Sequence, residues 1–199
     1  MGYVAKRTDG GETLIFTFHG TGGTEEQFHG FAGQLLPGAS VVSPRGDVSE
    51  MGALRYFRRT GEGVYDMDDL ARRTEAMAAF LSDERDRVGA RRVVGLGYSN
   101  GANILASVAM SHPQIVDDMI LMHPLIPWQP APQPELKGRR VLVTAGRRDP
   151  ICPAPLTQAL VDWFEAQGAG TTAVWHPGGH EIARPEIDAV GNFVAEVTA

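Results

Sequence analysis

A serine hydroxyl is a useful nucleophile only when a fold exposes it, removes its proton and stabilises the oxyanion that its attack creates. The pentapeptide Gly97-Tyr98-Ser99-Asn100-Gly101 has the Gly-x-Ser-x-Gly spacing that achieves the exposure. Glycines at its ends let a strand turn abruptly into a helix with the serine at the tip. The flanks agree with that reading. Arg91 to Leu96 is short, apolar and β-branched, as a buried strand requires, and Ala102, Leu105, Val108 and Ala109 share one helical face. The serine then sits at a helix N-terminus, where free N–H groups and the helix dipole favour negative charge. In a chain with 24 glycines, a Gly-rich turn holding an ordinary serine is the competing reading. The partners have to decide.

Those partners follow later strands in the order Ser, then Asp or Glu, then His. Asp149 comes just after the strand that ends at Ala145, and is the candidate acid that orients the base. Its plainer fate is a turn or N-cap aspartate before Pro150. His180 follows Pro177-Gly178-Gly179 beyond a strand ending near His176, and is the candidate base. His176 is the rival, but it lies within or at the end of that strand. The oxyanion needs two backbone donors. Asn100 N–H follows the nucleophile, and Thr21 N–H belongs to His19-Gly20-Thr21-Gly22-Gly23, a glycine loop after an early strand. A phosphate-cradling loop is the alternative there, but no Lys-Ser/Thr pair follows it.

Other chemistry-bearing residues carry plainer readings. Cys152 reads as a buried structural thiol, and His29 and His112 as surface histidines without metal-ligand spacing. No metal or cofactor is expected. Arg55, Arg58 and Arg59 form a basic cluster that is either a solvated or salt-bridged turn or sends one arginine to an anionic substrate group, with Arg58 the candidate. Met51, Tyr56, Phe57, Ile126 and Trp128 lie in two long loops near the catalytic edge and are candidate pocket walls.

The elements that must position these groups alternate along the chain. Strands are expected over residues 2–7, 13–18, 40–43, 91–96, 118–122, 140–145 and 171–176. Helices are expected from a Thr24 cap with Gln27 at capping-box spacing, from about 68 to 88, after the serine turn, from 153 to 167, and from Pro185 onward. Residues 45–67 and the proline-rich stretch 123–138 read as loops. This βα alternation predicts one α/β domain over 1–199, with about seven strands in a mostly parallel twisted sheet covered by helices on both faces. Ligands bind beyond the carboxyl ends of such strands.

With 43% hydrophobic and 21% charged residues, the composition is that of an ordinary globular protein. A net charge of −6 argues against nucleic-acid and anionic-membrane partners. One cysteine excludes an intrachain disulfide, and no leader or membrane-spanning run is visible, which points to the cytoplasm. A homodimer is compatible with these features.

The motifs together resemble a known family. His19 to Gly23, Ser43-Pro44-Arg45-Gly46, Phe57-Arg58-Arg59, Gly63-Val64-Tyr65-Asp66, Gly97 to Asn103, Asp149 to Pro153 and Gly178-Gly179-His180 look like the phospholipase/carboxylesterase branch of the α/β-hydrolases. They are most similar to small bacterial carboxylesterases associated with hydroquinone and other aromatic metabolites. The resemblance runs from about Ile15 to Phe193. It implies a cofactor-free serine carboxylesterase or thioesterase acting on a small ester, with Ser99, His180 and Asp149 as its triad and no separate lid domain. Acyl-protein thioesterases usually carry Gln where this chain has Asn100, and Gly-Asp where it has Gly22-Gly23. Both departures weaken a long-chain acyl-protein substrate. Dienelactone hydrolases resemble the chain in fold but use a cysteine nucleophile, so Ser99 argues against that chemistry in its strict form. A ligand-binding or sensing module on the same fold is the alternative outside enzymes.

Overall fold

The computed structural model describes residues 2–197. Its centre is a seven-stranded sheet built from β1 (Ala5–Thr8), β2 (Gly11–Phe18), β3 (Ala39–Pro44), β8 (Arg92–Tyr98), β9 (Asp118–Met122), β10 (Arg140–Gly146) and β11 (Gly170–His176). The strand order is β1-β3-β2-β8-β9-β10-β11. Only β1 runs antiparallel, pairing with β3 at the edge. Five helices cover the sheet: α1 (His29–Leu35), α2 (Met67–Val88), α3 (Asn100–Ser111), α4 (Ala154–Ala166) and α5 (Arg184–Ala195).

The two-residue period of the strands decides what each face buries. Leu14, Phe16 and Phe18 of β2 join the core under α2, α3 and α4, whereas Ile15 between them joins the core under α1 and α5. The central strands behave alike: Met119 and Leu121 face one core, Ile120 and Met122 the other. Burial on both faces is why these strands read as nearly continuous apolar runs rather than as alternating ones. The α/β-hydrolase fold expected from the alternation is the fold observed, and no separate lid is evident. No helix among the described residues is long and apolar enough to cross a membrane.

Two local expectations fail for identifiable reasons. The first helix does not start at a Thr24 cap. Residues 25–28 are turns and α1 begins at His29, because the Gln27 side-chain oxygen accepts the Gly20 N–H at 2.9 Å and is drawn towards the glycine loop instead. Thr24 Oγ1 accepts only the Glu26 N–H, at 3.3 Å. The stretch read as a loop from 45 to 67 contains two small hairpins. β4 (Val48–Glu50) pairs with β5 (Ala53–Arg55), and β6 (Arg59–Gly61) with β7 (Val64–Tyr65). Strands of two or three residues are too short to show a period. Left-handed φ values at Met51, Gly52 and Gly63 mark their turns.

Candidate active site

Ser99 stands where β8 gives way to α3, with φ 52° and ψ −119°. Its backbone is strained in the way a sharp strand-to-helix turn demands. The glycines are sterically required here. A Cβ on Gly97 would lie 2.6 Å from Gly101 O, and a Cβ on Gly101 would lie 2.4 Å from Phe18 O. Ser99 N–H donates to Met122 O at 2.8 Å, which ties the turn to the neighbouring strand.

From Ser99 a hydrogen-bonded chain runs across the carboxyl edge of the sheet. His180 Nε2 lies 2.9 Å from Ser99 Oγ, and His180 Nδ1 lies 2.7 Å from Asp149 Oδ2. The register Gly146↔His176 between β10 and β11 brings the two loops that carry Asp149 and His180 side by side. Asp149 Oδ1 accepts the N–H groups of Ile151 and Cys152 at 2.8 and 2.9 Å. Burial raises the Asp149 pKa, but the Cys152 N–H, His123, His180 and the Ile151 N–H outweigh it and hold the carboxyl below its usual 3.8. The turn contacts of Asp149 and its contact with His180 therefore sit on different oxygens. His176 points elsewhere: it is buried at the end of β11, with Nε2 3.3 Å from Glu186 Oε2.

On the other side of Ser99 is the glycine loop. Its shape is set by His19, whose Nε2 accepts the Gly46 N–H at 2.9 Å and whose Nδ1 lies 2.7 Å from Gly20 O. Burial lowers the His19 pKa, which matches a neutral ring in that tautomer. Gly20 N–H goes to Gln27, Gly22 N–H to Leu54 O and Gly23 N–H to Gly20 O. Thr21 thus lies in the loop between N–H groups that are already committed, and it lines the same cavity as Ser99 and Asn100. Asn100 is locked by its side chain, whose Oδ1 accepts the Tyr56 N–H at 2.8 Å.

The cavity above Ser99 has a volume of about 280 Å³. The pocket walls expected from sequence are elsewhere. Tyr56 and Phe57 are fully buried in the core, and the Tyr56 hydroxyl donates to Pro44 O at 2.8 Å. Met51 is 99% exposed at a hairpin tip. Ile126 is part of the core, and Trp128 packs on Tyr65 at 6.2 Å and borders grooves behind the proline-rich loop. Arg58 is exposed outside the cavity, with its backbone N–H donating to Asp69 Oδ2. Proximity in sequence to the catalytic edge did not translate into facing it, because Tyr56, Phe57 and Ile126 bury their apolar surface in the core instead.

Arg55, Arg59, Glu62 and Tyr65 supply the wall instead, with Leu125 and Ile151 opposite them in the chain. Arg55 is 3% exposed, donates to Thr21 Oγ1 at 2.8 Å and lies 3.4 Å from Glu50. Arg59 pairs with Glu50 at 3.1 Å and Glu62 at 2.6 Å. Arg55 and Arg59 are each answered by a carboxylate, as the salt-bridged reading of the cluster has it, while Arg58 is exposed outside the cavity. Cys152 also borders the cavity, but its thiol is buried and lies 3.2 Å from His123 O. Burial, then the Asp149 charge, push its pKa far up, so it stays a thiol. His29 is not the surface residue expected from sequence. It is buried, with Thr8 Oγ1 at 2.9 Å and Ser43 Oγ at 2.8 Å.

Two site residues went unnoticed in the sequence. Tyr98 donates its hydroxyl to His180 O at 2.6 Å and lays its ring 5.3 Å from the His180 ring. Burial, then Asp149, push its pKa up to about 12. His123 is fully buried, with φ 49° and Nδ1 2.8 Å from the Asp149 Oδ2 that also serves His180. The signal for His123 was available. It immediately follows β9, and the rule that ligating and catalytic groups follow strands applies to it as to Asp149.

Comparisons with known proteins identify the family. A family model described as the dienelactone hydrolase family matches residues 53–195. MhqD of Bacillus subtilis, a protein named as a hydrolase, is 32% identical over 187 residues, covering 93% of this chain and 94% of the relative. The chain belongs to the dienelactone hydrolase family. A solved structure from Agrobacterium tumefaciens, of a protein of unknown function, is 54% identical with a TM-score of 0.93, covering 98% of this chain and 96% of the other. A Bacillus cereus carboxylesterase is 32% identical with a TM-score of 0.90, covering 98% and 94%. The protein is a hydrolase with the α/β-hydrolase fold. Within this dienelactone hydrolase family member, the turn that follows β8 carries Ser99 and not a cysteine, and the cavity's one cysteine is a buried thiol off that turn.

Proposed function

We propose that this hydrolase is a serine carboxylesterase for small carboxylic esters. The observation that carries the reading is the Ser99–His180–Asp149 hydrogen-bonded chain, at 2.9 and 2.7 Å, opening onto the cavity. Ser99 Oγ attacks the acyl carbonyl while His180 Nε2 takes its proton. Asp149 fixes the His180 tautomer and stabilises the imidazolium that results. The N–H groups of Thr21 and Asn100 receive the oxyanion of the tetrahedral intermediate. That intermediate collapses, His180 returns the proton to the departing alcohol, and an acyl-Ser99 ester remains. Water, deprotonated by His180, then releases the acid. The cavity volume of about 280 Å³ suits a short acyl group, and the paired arginines suit a neutral ester.

Labelling with a fluorophosphonate together with turnover of short p-nitrophenyl esters tests this reading. Ser99→Ala should lose labelling and turnover by a factor of about 10⁴ or more while keeping its thermal transition. A folded Ser99→Ala protein that keeps most of its activity, or a native protein that is not labelled, overturns it. Ester and thioester substrates assayed side by side separate an esterase from a thioesterase.

A further inference from the structure

Behind Asp149 lies a second set of buried ionisable groups that the esterase chemistry does not use. His123 Nδ1 is 2.8 Å from Asp149 Oδ2, and His123 Nε2 is 3.0 Å from Glu186 Oε1. Both carboxylates are already committed as acceptors. Asp149 takes the Ile151 and Cys152 N–H groups, and Glu186 takes the Thr144 hydroxyl at 2.5 Å and the Ala183 N–H at 2.6 Å. His123 thus sits between two buried carboxylates, one hydrogen-bonded to Nδ1 and the other at ion-pair distance from Nε2 without hydrogen-bond alignment, and both favour its protonated form. His176 differs. Its Nδ1 accepts the Gly178 N–H at 3.1 Å, and its Nε2 lies 3.3 Å from Glu186 Oε2 without a hydrogen bond.

We propose that His123 is a positioning residue of the hydrolytic site, a buried imidazolium bridging Asp149 to Glu186 that limits how much of the Asp149 charge reaches His180. This rests on the esterase reading given above. Asp149 Oδ2 is shared by two imidazoles whose ring centres are 5.0 Å apart. Before reaction the buried groups are two carboxylates and one cation. When His180 takes the Ser99 proton it becomes a second cation on the same oxygen, and the set becomes neutral. Removing the His123 charge would leave Asp149 Oδ2 to His180 alone, and that is the change the pH profile reads.

The groups facing His123 come from every neighbouring element. They are Tyr98 from β8, Thr144 from β10, Asp149 and Cys152 from the loop after it, His176 from β11, His180 beyond it and Glu186 from α5. Exposed Glu181 contributes a more distant charge. Burial works against the charge on His123, and contact with Glu186 and Asp149 outweighs burial, so its pKa is held above the ordinary 6.5.

Replacing His123 by Gln keeps a hydrogen-bonding side chain and removes the charge. At a separation near 5 Å, one unit charge should shift the acid limb of the kcat/KM pH profile upward by about one to two pH units. KM at high pH should change little. A folded His123→Gln protein whose acid limb stays where the native one lies overturns the proposal. Because this variant removes a buried charge and can lose its fold, ¹⁵N NMR of the native protein's histidine rings supplies an independent measurement. Two protonated nitrogens on His123 at neutral pH sustain the proposal, and one unprotonated nitrogen overturns it. The NMR result does not depend on turnover. A native protein without fluorophosphonate labelling defeats the esterase reading, while the His123 ring still reports its own state.

Discussion

Two segments border the cavity and are held by different forces. The turn from Gly97 to Gly101 is fixed by backbone contact. Its glycines leave no room for a Cβ, and its serine N–H is bonded to the next strand. The arm from 48 to 65 is tied down mostly through side chains, by Arg55 on Thr21, the Tyr56 N–H on Asn100 Oδ1 and the Tyr65 hydroxyl on Leu125 O, with one backbone bond from Gly22 N–H to Leu54 O, and it is braced internally by Arg59 on Glu50 and Glu62. Backbone packing tolerates almost no sequence change. Side-chain ties tolerate exchange as long as charge and reach are matched. The difference places Ser99 on the rigid segment and much of the cavity wall on the adaptable one.

The largest effect that could break this contrast is steric. Gly101→Ala should destabilise the protein by about 3 kcal/mol, since the added methyl would press on Phe18 O and no flexible side chain can yield there. Met51→Ala, at a tip that is 99% exposed, should stay within about 0.5 kcal/mol. Thermal melts of the two variants compare them directly, and a mild Gly101→Ala would show that the turn is not rigid. Next comes the choice of histidine. His180→Ala should lower kcat by about 10⁴-fold with the fold intact. His176→Ala should leave kcat within about tenfold and instead cost about 1–3 kcal/mol of stability, because its partner Glu186 is buried. Steady-state kinetics showing the reverse pattern would move the base to His176.

The smallest effect concerns the arm. Arg55→Met removes the tie to Thr21 while Arg59 still answers Glu50. KM for short esters should rise severalfold and kcat should fall less than about tenfold, short of the roughly hundredfold loss that a missing oxyanion donor brings. A kcat collapse would mean that the arm, through Thr21, takes part in the chemistry and does not merely shape the pocket.

How much of this was legible depended on the range of the signal. The strand order of chemistry, Ser99 then Asp149 then His180, could be read because each residue follows a strand closely and local patterns mark strand ends. The same rule covered His123, but a histidine before a proline-rich stretch read as part of a loop. The two hairpins of the arm were hidden because a three-residue strand has no period. Gln27 reads by its spacing as a capping-box residue, yet a bond to Gly20, seven positions earlier, outcompeted the cap.

The sequence by itself determined the alternation of apolar strands and helices, the glycine spacing around Ser99 and the order of the chemical groups. These follow from sterics and periodicity within a dozen residues. Only the tertiary structure decided which faces meet. It sent Tyr56 and Phe57 into the core and Arg55 to the cavity wall, and it buried His29 against Thr8 and Ser43. It also gathered His123, Asp149, His180 and Glu186, which come from distant parts of the chain, around shared carboxylate oxygens. Desolvation makes such a gathering costly unless every charge is answered. The answer to each charge lies far away in sequence, and so becomes visible only in the folded chain.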